Sequence, residues 1–129
     1  MKKDILSKED IFFIINAFYR KLLEDTAINH FFEHILNTGS LEHHLNTITD
    51  FWNGILFNAT DYQRNAMQPH LDLNENIPFR TEHFKTWLHH FKTTIDTHYS
   101  GENAEKMKTR ALSIATVMQI KMRNLSKSN

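Results

Sequence analysis

The amino-acid sequence predicts a domain built only of α-helices. Glycine and proline, which mark the turns of β-rich folds, are scarce, with three glycines and two prolines in 129 residues. Apolar residues instead recur every three or four positions, which is the repeat of a helix with one buried face. Since 40% of the residues are hydrophobic, the chain can bury one core, and residues 1–129 are expected to form a single domain.

The first predicted helix runs from about Lys8 to Glu24. Ser7, followed three residues later by Asp10, resembles a capping box directly before an apolar run. The apolar positions that repeat at helical spacing after this cap are Ile11, Ile15, Phe18 and Leu22.

Two further helices are predicted before the middle of the chain. A short apolar segment from Ile28 to Leu36 predicts the second helix, which Asn37 and Gly39 would end. The third helix is predicted from Leu41 to about Phe57, with Thr49 expected on its polar side. The buried face of the third helix is expected to consist of Leu45, Ile48, Phe51, Trp52 and Ile55.

The last two helices follow the same apolar repeat. The fourth begins near Thr81, and its predicted buried stripe is Phe84, Trp87, Leu88, Phe91 and Ile95. Gly101 separates it from a fifth helix, predicted from about Asn103 to Leu125. The inner face of the fifth helix is expected to carry Met107, Ala111, Ile114, Met118 and Leu125.

The segment from about Tyr62 to Phe79 breaks this helical repeat. It is polar, has no sustained period, and places Pro69 directly before His70. Connectors of this length inside a small domain are usually functional or disordered. Four apolar residues that can anchor the segment favour an ordered, functional one: Leu71, Leu73, Ile77 and Phe79.

Charge and composition exclude several classes of partner. Fifteen basic and fifteen acidic residues cancel, so no overall field attracts nucleic acid or an anionic membrane. The chain has no cysteine, no signal-peptide core and no apolar run of about 20 residues that would span a bilayer. We therefore expect a soluble, cytoplasmic monomer without nucleic-acid or membrane partners.

Aromatic residues and a few polar side chains are predicted to face one interior site. His44 shares a helix face with Ile48 and Trp52, whereas His43 falls on the side facing water. Tyr19 and Trp87 lie within or beside the apolar stripes of their helices, and a buried phenol or indole needs a hydrogen-bond partner. With His70 in the connector, this set suits a large, flat, apolar ligand that has a metal at its centre.

Three other interpretations compete with this one. The string HFFEH, from His30 to His34, matches an inverted zinc-protease motif, but such an enzyme also needs a third ligand on a further helix and a substrate cleft, and this chain is too short to offer much cleft. A di-iron bundle needs repeated Glu-x-x-His pairs, and Glu33 and Glu42 do not supply them. The third alternative is a helical interaction module in which the aromatic residues are ordinary core.

Four segments in order resemble the truncated haemoglobins, and among these the third bacterial group. They are AFYRKLLEDTAINHFF, HHLNTITDFWNGIL, PHLDL and EHFKTWLHHFKTTID. The resemblance covers nearly the whole chain from about Ser7. It implies a shortened globin fold, a two-over-two helical sandwich with a loop-like proximal segment, and haem b as the cofactor. Leu41 departs from the pattern, since relatives often carry tryptophan there.

The resemblance also implies roles for individual residues. His70 matches the proximal histidine that ligates iron, and Tyr19 matches the distal tyrosine. His44 matches the distal histidine, and Trp87 the tryptophan of the fourth long helix. The remaining residues expected around the haem are Phe32, which would pack on its face, with Ile48, Trp52 and Phe84. The candidates for holding the haem propionates are Arg64, Arg80, His83 and Lys85.

The expected function is binding of dioxygen, and of other diatomic gases, with slow release. Hydrogen bonds from Tyr19 and Trp87 would hold a ligand that gains negative charge on binding. Slow release suits scavenging, sensing or peroxidase-like and nitric oxide redox chemistry better than bulk oxygen transport, and a reductase would be a partner. His44 is expected near the bound gas with Tyr19 and Trp87, and its role is left open between iron ligand and gate. The alternative stays a haem-free helical interaction module.

Overall fold

The computed structural model describes residues 2–33, 39, 41–57 and 80–127, with residues 122–127 described as backbone only. The described helices are α1 (Lys8–Glu24), a short 3-10 turn (Asn29–Phe31), α2 (Leu41–Phe57), α3 (Thr81–His98) and α4 (Glu102–Lys127). Within these ranges there is no β-strand. None of these helices is both long and apolar enough to cross a membrane.

Helix α1 begins where the sequence predicts. The hydroxyl oxygen of Ser7 accepts a hydrogen bond from the backbone N–H of Asp10 at 3.3 Å. The Asp10 carboxylate in turn accepts a hydrogen bond from the backbone N–H of Leu6 at 3.0 Å. In a standard capping box this donor is the N-cap residue, here Ser7, so the return bond reaches one residue further. These bonds satisfy backbone donors at the start of the helix and fix where it begins.

Two pairs of helices form the fold. Helix α1 packs mainly on α2, and α3 packs mainly on α4. The pairs meet where α1 contacts α3 and α2 contacts α4. Helix α1 therefore needs apolar residues on more than one face, and its buried residues are Ile11, Ile14, Ile15, Phe18, Tyr19 and Leu22.

The predicted helix from Ile28 to Leu36 begins later than expected in the described residues. Asn29–Phe31 forms a 3-10 turn, Glu33 is helical, and residues 34–38 lie outside the described ranges. The cause is Asp25, whose side chain accepts from the backbone N–H of Ala27 at 2.9 Å. The Asp25 carbonyl also accepts from the N–H of Asn29 at 2.8 Å. Asp25 thus builds a tight turn that competes with a regular helix.

The inner faces of α2 and α4 differ from prediction at particular residues. Thr49, expected on the polar side, is buried, and its hydroxyl donates to the carbonyl of Leu45 at 2.7 Å. Phe51 and Ile55 are only half-buried, whereas Leu56 is buried. On α4 Ile114 is half-buried, and the small residues Ala104 and Ala115 are buried instead. A threonine that bonds its own helix can be buried like an apolar residue.

The first residues of the chain form an N-terminal clamp on the α3–α4 turn, which the sequence did not predict. We use this name for residues 2–6 and their contacts with Tyr99–Ala104. The Asp4 carboxylate accepts from the backbone N–H groups of Asn103 and Ala104, each at 2.9 Å, and so caps α4. The Ser100 N–H donates to the carbonyl of Lys3 at 2.9 Å.

Gly101 permits this close approach. Its φ is +144°, and a Cβ at this position would lie 2.5 Å from the Asp4 carboxyl carbon. Only glycine therefore fits without displacing Asp4.

Candidate functional site

An apolar pocket lies among the four long helices. Its empty volume is about 460 Å³, a figure that includes space open to solvent. All four helices contribute to the described part of its wall, and aromatic side chains dominate it. The lining residues are Ile15, Phe18, Tyr19, Ile48, Phe51, Trp52, Trp87, Phe91, Ile114 and Met118. We call this site the aromatic pocket.

A partly buried hydrogen bond joins α1 to α2 beside the aromatic pocket. The Tyr19 hydroxyl oxygen lies 2.7 Å from Nε2 of His44, and the direction of the proton depends on the histidine tautomer. Tyr19 is only 3% exposed. Burial raises the pKa of Tyr19 above its ordinary value, so the hydroxyl keeps its proton at neutral pH. His44 is half-buried and His43 is exposed, as the helical spacing predicts.

Ring contacts hold the pocket side chains in place. Phe18 makes edge-to-face contacts with Tyr19, Trp87 and Phe91 at ring distances of 5.5, 5.5 and 4.9 Å. Trp87 and Phe91 stack at 5.5 Å with planes only 3° apart. Trp52 stacks on the same Phe91 at 5.4 Å. Such pairs add about 0.5–1.5 kcal/mol each beyond burial, so they fix the orientation of Tyr19 and Trp87.

Comparison with known proteins identifies the family. The fold resembles the crystal structure of a group III truncated haemoglobin from Campylobacter jejuni, with a TM-score of 0.82 and 29% identity over 95% of each chain. A group 3 truncated haemoglobin of Campylobacter jejuni is 31% identical over 121 residues, which cover 92% of this chain and 93% of that protein. The chain belongs to the group 3 truncated haemoglobins. No protein-family model matches it.

The family and the fold class predicted from the sequence are therefore confirmed. The all-helical arrangement of two helix pairs is the two-over-two sandwich of a truncated globin. Truncated haemoglobins bind haem and a gas, so this chain is a haem-binding and gas-binding globin.

The chemistry of the aromatic pocket fits a haem. No carboxylate or lysine is among its described lining residues, and the polar groups of the lining side chains are the Tyr19 hydroxyl and the indole N–H groups of Trp52 and Trp87. A flat, largely apolar macrocycle is compatible with such a wall, whereas a hydrophilic substrate would leave its polar groups without partners. The predicted iron ligand, His70, lies in the range 58–79, outside the described residues, as does Arg64.

The other predicted haem contacts of this truncated haemoglobin lie in or next to the pocket. Ile48, Trp52 and Trp87 line it directly. Phe32 is buried and contacts Tyr19 edge-to-face at 5.7 Å, so it supports the tyrosine from the side of the 3-10 turn. Phe84 is fully buried on the inner stripe of α3 but is not among the lining residues. The roles of these residues in binding haem stay predictions.

The propionate candidates are spread over two sides of α3. The His83 ring accepts a hydrogen bond at Nδ1 from the Arg80 backbone N–H at 2.9 Å, which caps the helix. Burial lowers the pKa of His83, which also packs against Phe31 at 4.7 Å. Lys85, two residues further, lies on the other side of the helix, in a groove shared with α4.

Sequence reasoning missed two pairings of this truncated haemoglobin. It expected an inward His44 and a buried Tyr19, but not that each is the partner of the other. The second pairing joins Nε2 of His90 to the Asp25 carboxylate at 2.7 Å. Both pairs join residues on different helices or turns, so helical spacing gives no signal for them. Among the described residues, no three His, Asp or Glu side chains converge on a metal site.

Proposed function

We propose that this truncated haemoglobin holds haem b through His70 and binds dioxygen with slow release. The observation that carries the proposal is the partly buried Tyr19–His44 hydrogen bond at the edge of an apolar pocket. Haem, when bound, supplies the iron on which a diatomic gas is held. The remaining chemistry belongs to the side chains around that position.

The proximal side of the proposal rests on the family resemblance. His70 would offer one ring nitrogen to iron and donate its other N–H to a nearby acceptor, which fixes the tautomer and strengthens the ligand. Pro69, directly before it, has a fixed backbone φ and limits how far the segment can move.

The distal side of the proposal depends on which of Tyr19 and His44 donates the hydrogen bond between them. If Nε2 of His44 lacks a proton, the Tyr19 hydroxyl donates its hydrogen to Nε2. That hydrogen is then not available to a ligand in the pocket. If Nε2 carries the proton, it donates to the Tyr19 oxygen, and the hydroxyl hydrogen is left for a ligand in the pocket. We propose that the second arrangement forms when dioxygen is present, because a ligand with partial negative charge attracts the donor.

Trp87 is the second proposed donor to the gas. Its indole N–H can donate but never accept, and the side chain is 7% exposed and stacked on Phe91. A hydrogen bond in such a low-dielectric pocket is stronger than one in water. Two bonds of about 1.5–3 kcal/mol each would slow gas release by roughly two to four decades. Release that slow suits scavenging, sensing or redox chemistry of the gas rather than transport.

The first test is the visible spectrum of purified protein expressed with haem available. We expect an intense Soret band, and we expect His70→Gly to lose or greatly weaken it. The matched control is His89→Gly, because His89 is exposed on α3 and its change should leave the band intact. A folded but colourless wild-type protein would favour the haem-free interaction module, and an unchanged band in His70→Gly would reject the proximal assignment.

The second test measures dioxygen release by stopped flow. Tyr19→Phe and Trp87→Phe should each raise the dissociation rate by about one to two decades, because each removes one donor. Tyr99→Phe is the control, since Tyr99 is also a buried tyrosine and its hydroxyl donates to Asp10, which does not line the pocket. If neither donor variant changes the rate, the distal part of the proposal fails.

The third test separates the possible roles of His44. His44→Leu should raise dioxygen release if the histidine orients the Tyr19 hydroxyl, and His44→Gln, whose amide can donate, should restore slow release. The effect of His44→Leu should vanish in the Tyr19→Phe background. A changed ferrous spectrum without added gas would instead make His44 an iron ligand. Faster entry and exit of the uncharged ligand carbon monoxide would make it a gate.

A further inference from the structure

The outer side of helix α3 forms a second concave surface with α4. We call it the α3–α4 groove. Its wall on α3 repeats every three to four residues, which places these side chains on one face of the helix. The wall of the groove includes Lys85, Leu88 and Lys92 from α3, and Glu105, Lys108 and Leu112 from α4.

The groove carries excess positive charge. Lys108 forms ion pairs with the two acidic residues of the groove, Asp96 and Glu105, each at 2.6 Å. The hydrogen bond to Asp96 is the larger cause that raises the pKa of Lys108, and the one to Glu105 is the second. Lys85 and Lys92 are exposed and form no ion pair with another residue in the described ranges. Once Lys108 has neutralised the carboxylates in part, these two lysines set the sign of the surface.

An apolar centre lies between these charges. Leu112 is 56% exposed, and Leu88 is half-buried against the core below it. An exposed apolar side chain with a charged rim is the usual layout of a protein interface. Two unpaired lysines are few for binding nucleic acid, where affinity depends on neutralising many phosphates, and the chain carries no net formal charge.

The groove and the aromatic pocket share helix α3. Trp87 and Phe91 line the pocket and stack on each other, whereas Lys85, Leu88 and Lys92 face the groove. A molecule docked in the groove therefore lies about 10 Å from the pocket, the diameter of one helix with its side chains.

We propose that the α3–α4 groove is the docking surface for an acidic electron-carrier protein that reduces the haem iron. This inference rests on the proposed function. The partner's reduced flavin or iron–sulfur centre loses one electron, and ferric iron gains it and becomes ferrous, the state that binds dioxygen; no bond forms or breaks. The contact is a small, transient one in which charge complementarity speeds association.

The first experiment measures binding of ferric holoprotein to an acidic flavodoxin by titration calorimetry and by NMR shift changes at low salt. The double variant Lys85→Glu/Lys92→Glu should weaken binding about tenfold or more, because it opposes like charges. Raising the ionic strength to about 0.1 M, where the screening length is ~10 Å, should weaken the wild-type complex as well. Leu112→Ser should weaken binding and leave the salt dependence unchanged.

The matched control is Lys106→Glu/Lys121→Glu. It makes the same charge change at two exposed lysines of α4 that do not line the groove. We expect the control to bind flavodoxin within about twofold of wild type, a change of about 0.4 kcal/mol. Equal weakening by both double variants would overturn the proposal, because only net charge would then matter. So would unchanged binding of the groove variant.

The second experiment follows reduction of ferric holoprotein by reduced flavodoxin under carbon monoxide, through the shift of the Soret band. The groove variant should slow this step, while reduction by dithionite should give the same final spectrum in every variant. Absence of a Soret band in wild type would instead reject the proposed function itself. Stronger binding of the groove to phosphatidylserine vesicles or duplex DNA than to flavodoxin would overturn the assignment to an acidic protein.

Discussion

The aromatic pocket is held by ring contacts around one partly buried hydrogen bond, whereas the N-terminal clamp is held by a network of hydrogen bonds. In the pocket, Phe18 contacts three other rings, and the Tyr19–His44 bond lies among them. In the clamp, Asp4 caps α4, and the Asn103 side chain donates to the carbonyl of Ile5 at 2.7 Å. Both regions are well packed, but the forces that order them differ.

The difference follows from what each region has to do. A polar side chain in the pocket would compete for the donors that a gas ligand needs, so stability there must come from apolar burial. The clamp has no ligand to accommodate, and hydrogen bonds there position the start of α4 without touching the pocket. Changes in the clamp should therefore alter stability alone, whereas changes in the pocket should alter stability and gas binding together.

The largest effect is expected from Phe18→Ala in holoprotein. Loss of this fully buried ring should lower the free energy of unfolding by about 3–5 kcal/mol, because a cavity remains at the centre of the ring cluster. Guanidinium unfolding measures it. Phe13→Ala on the same helix is the control, since Phe13 is 47% exposed and its loss should cost far less. Equal costs for the two variants would contradict the central role of Phe18.

A smaller effect is expected from Asp4→Ala. It removes the acceptor for the N–H groups of Asn103 and Ala104, so the free energy of unfolding should fall by about 1–2 kcal/mol. Glu102→Ala, at an exposed acid in the first turn of α4, should cost only about 0.5 kcal/mol through the helix dipole. The dioxygen release rate should be unchanged in both variants. A faster release in Asp4→Ala would show that the clamp and the pocket are coupled.

Part of the Asp4 contribution should depend on pH. Burial acts to raise the pKa of Asp4, but backbone N–H donors from Asn103, Ala104 and Ile5 outweigh it, so the pKa lies below its ordinary value. As pH falls below about 4, the unfolded chain binds the proton first, and the stabilisation is lost. The difference in unfolding free energy between wild type and Asp4→Asn should therefore shrink on acidification below that pH. A difference that is constant from pH 7 to 3 would contradict the capping role of the carboxylate.

The sequence predicts the long helices well because their signals are local. The Ser7 cap and the apolar repeat locate α1, and the repeats beginning at Leu45 and Phe84 locate α2 and α3. The segment after Ile28 begins as a 3-10 turn rather than a regular helix because a single side chain, Asp25, bonds the backbone and favours a turn. Periodicity does not report such competition.

Contacts between distant residues could not be predicted in this way. Asp4 and Asn103 are 99 positions apart, and Tyr19 and His44 are 25 apart, so no local pattern relates them. The chemistry of Tyr19 and His44 came from family resemblance, and the structure adds that they bond to each other. The role of His70 rests on resemblance alone and stays a prediction.

The smallest expected effect concerns the pair that joins the end of α1 to α3, Asp25 and His90. The hydrogen bond of this pair is 2.7 Å long, and it is the main cause that lowers the pKa of Asp25. The hydrogen bond from the N–H of Ala27 is the second cause. His90→Gln should cost about 0.5–1 kcal/mol, because the pair is only partly buried, and the exposed neighbour His89→Gln should cost almost nothing. Thermal unfolding of both variants measures this difference.

Gas release in His90→Gln then shows whether the turn matters to the pocket. Asp25 organises the turn that leads to Phe32, and Phe32 packs on Tyr19. If the pair only adds stability, dioxygen should leave the variant at the wild-type rate. A faster release at nearly unchanged stability would mean that α3 holds Tyr19 in place through this turn, and that the pocket depends on polar contacts outside its own wall.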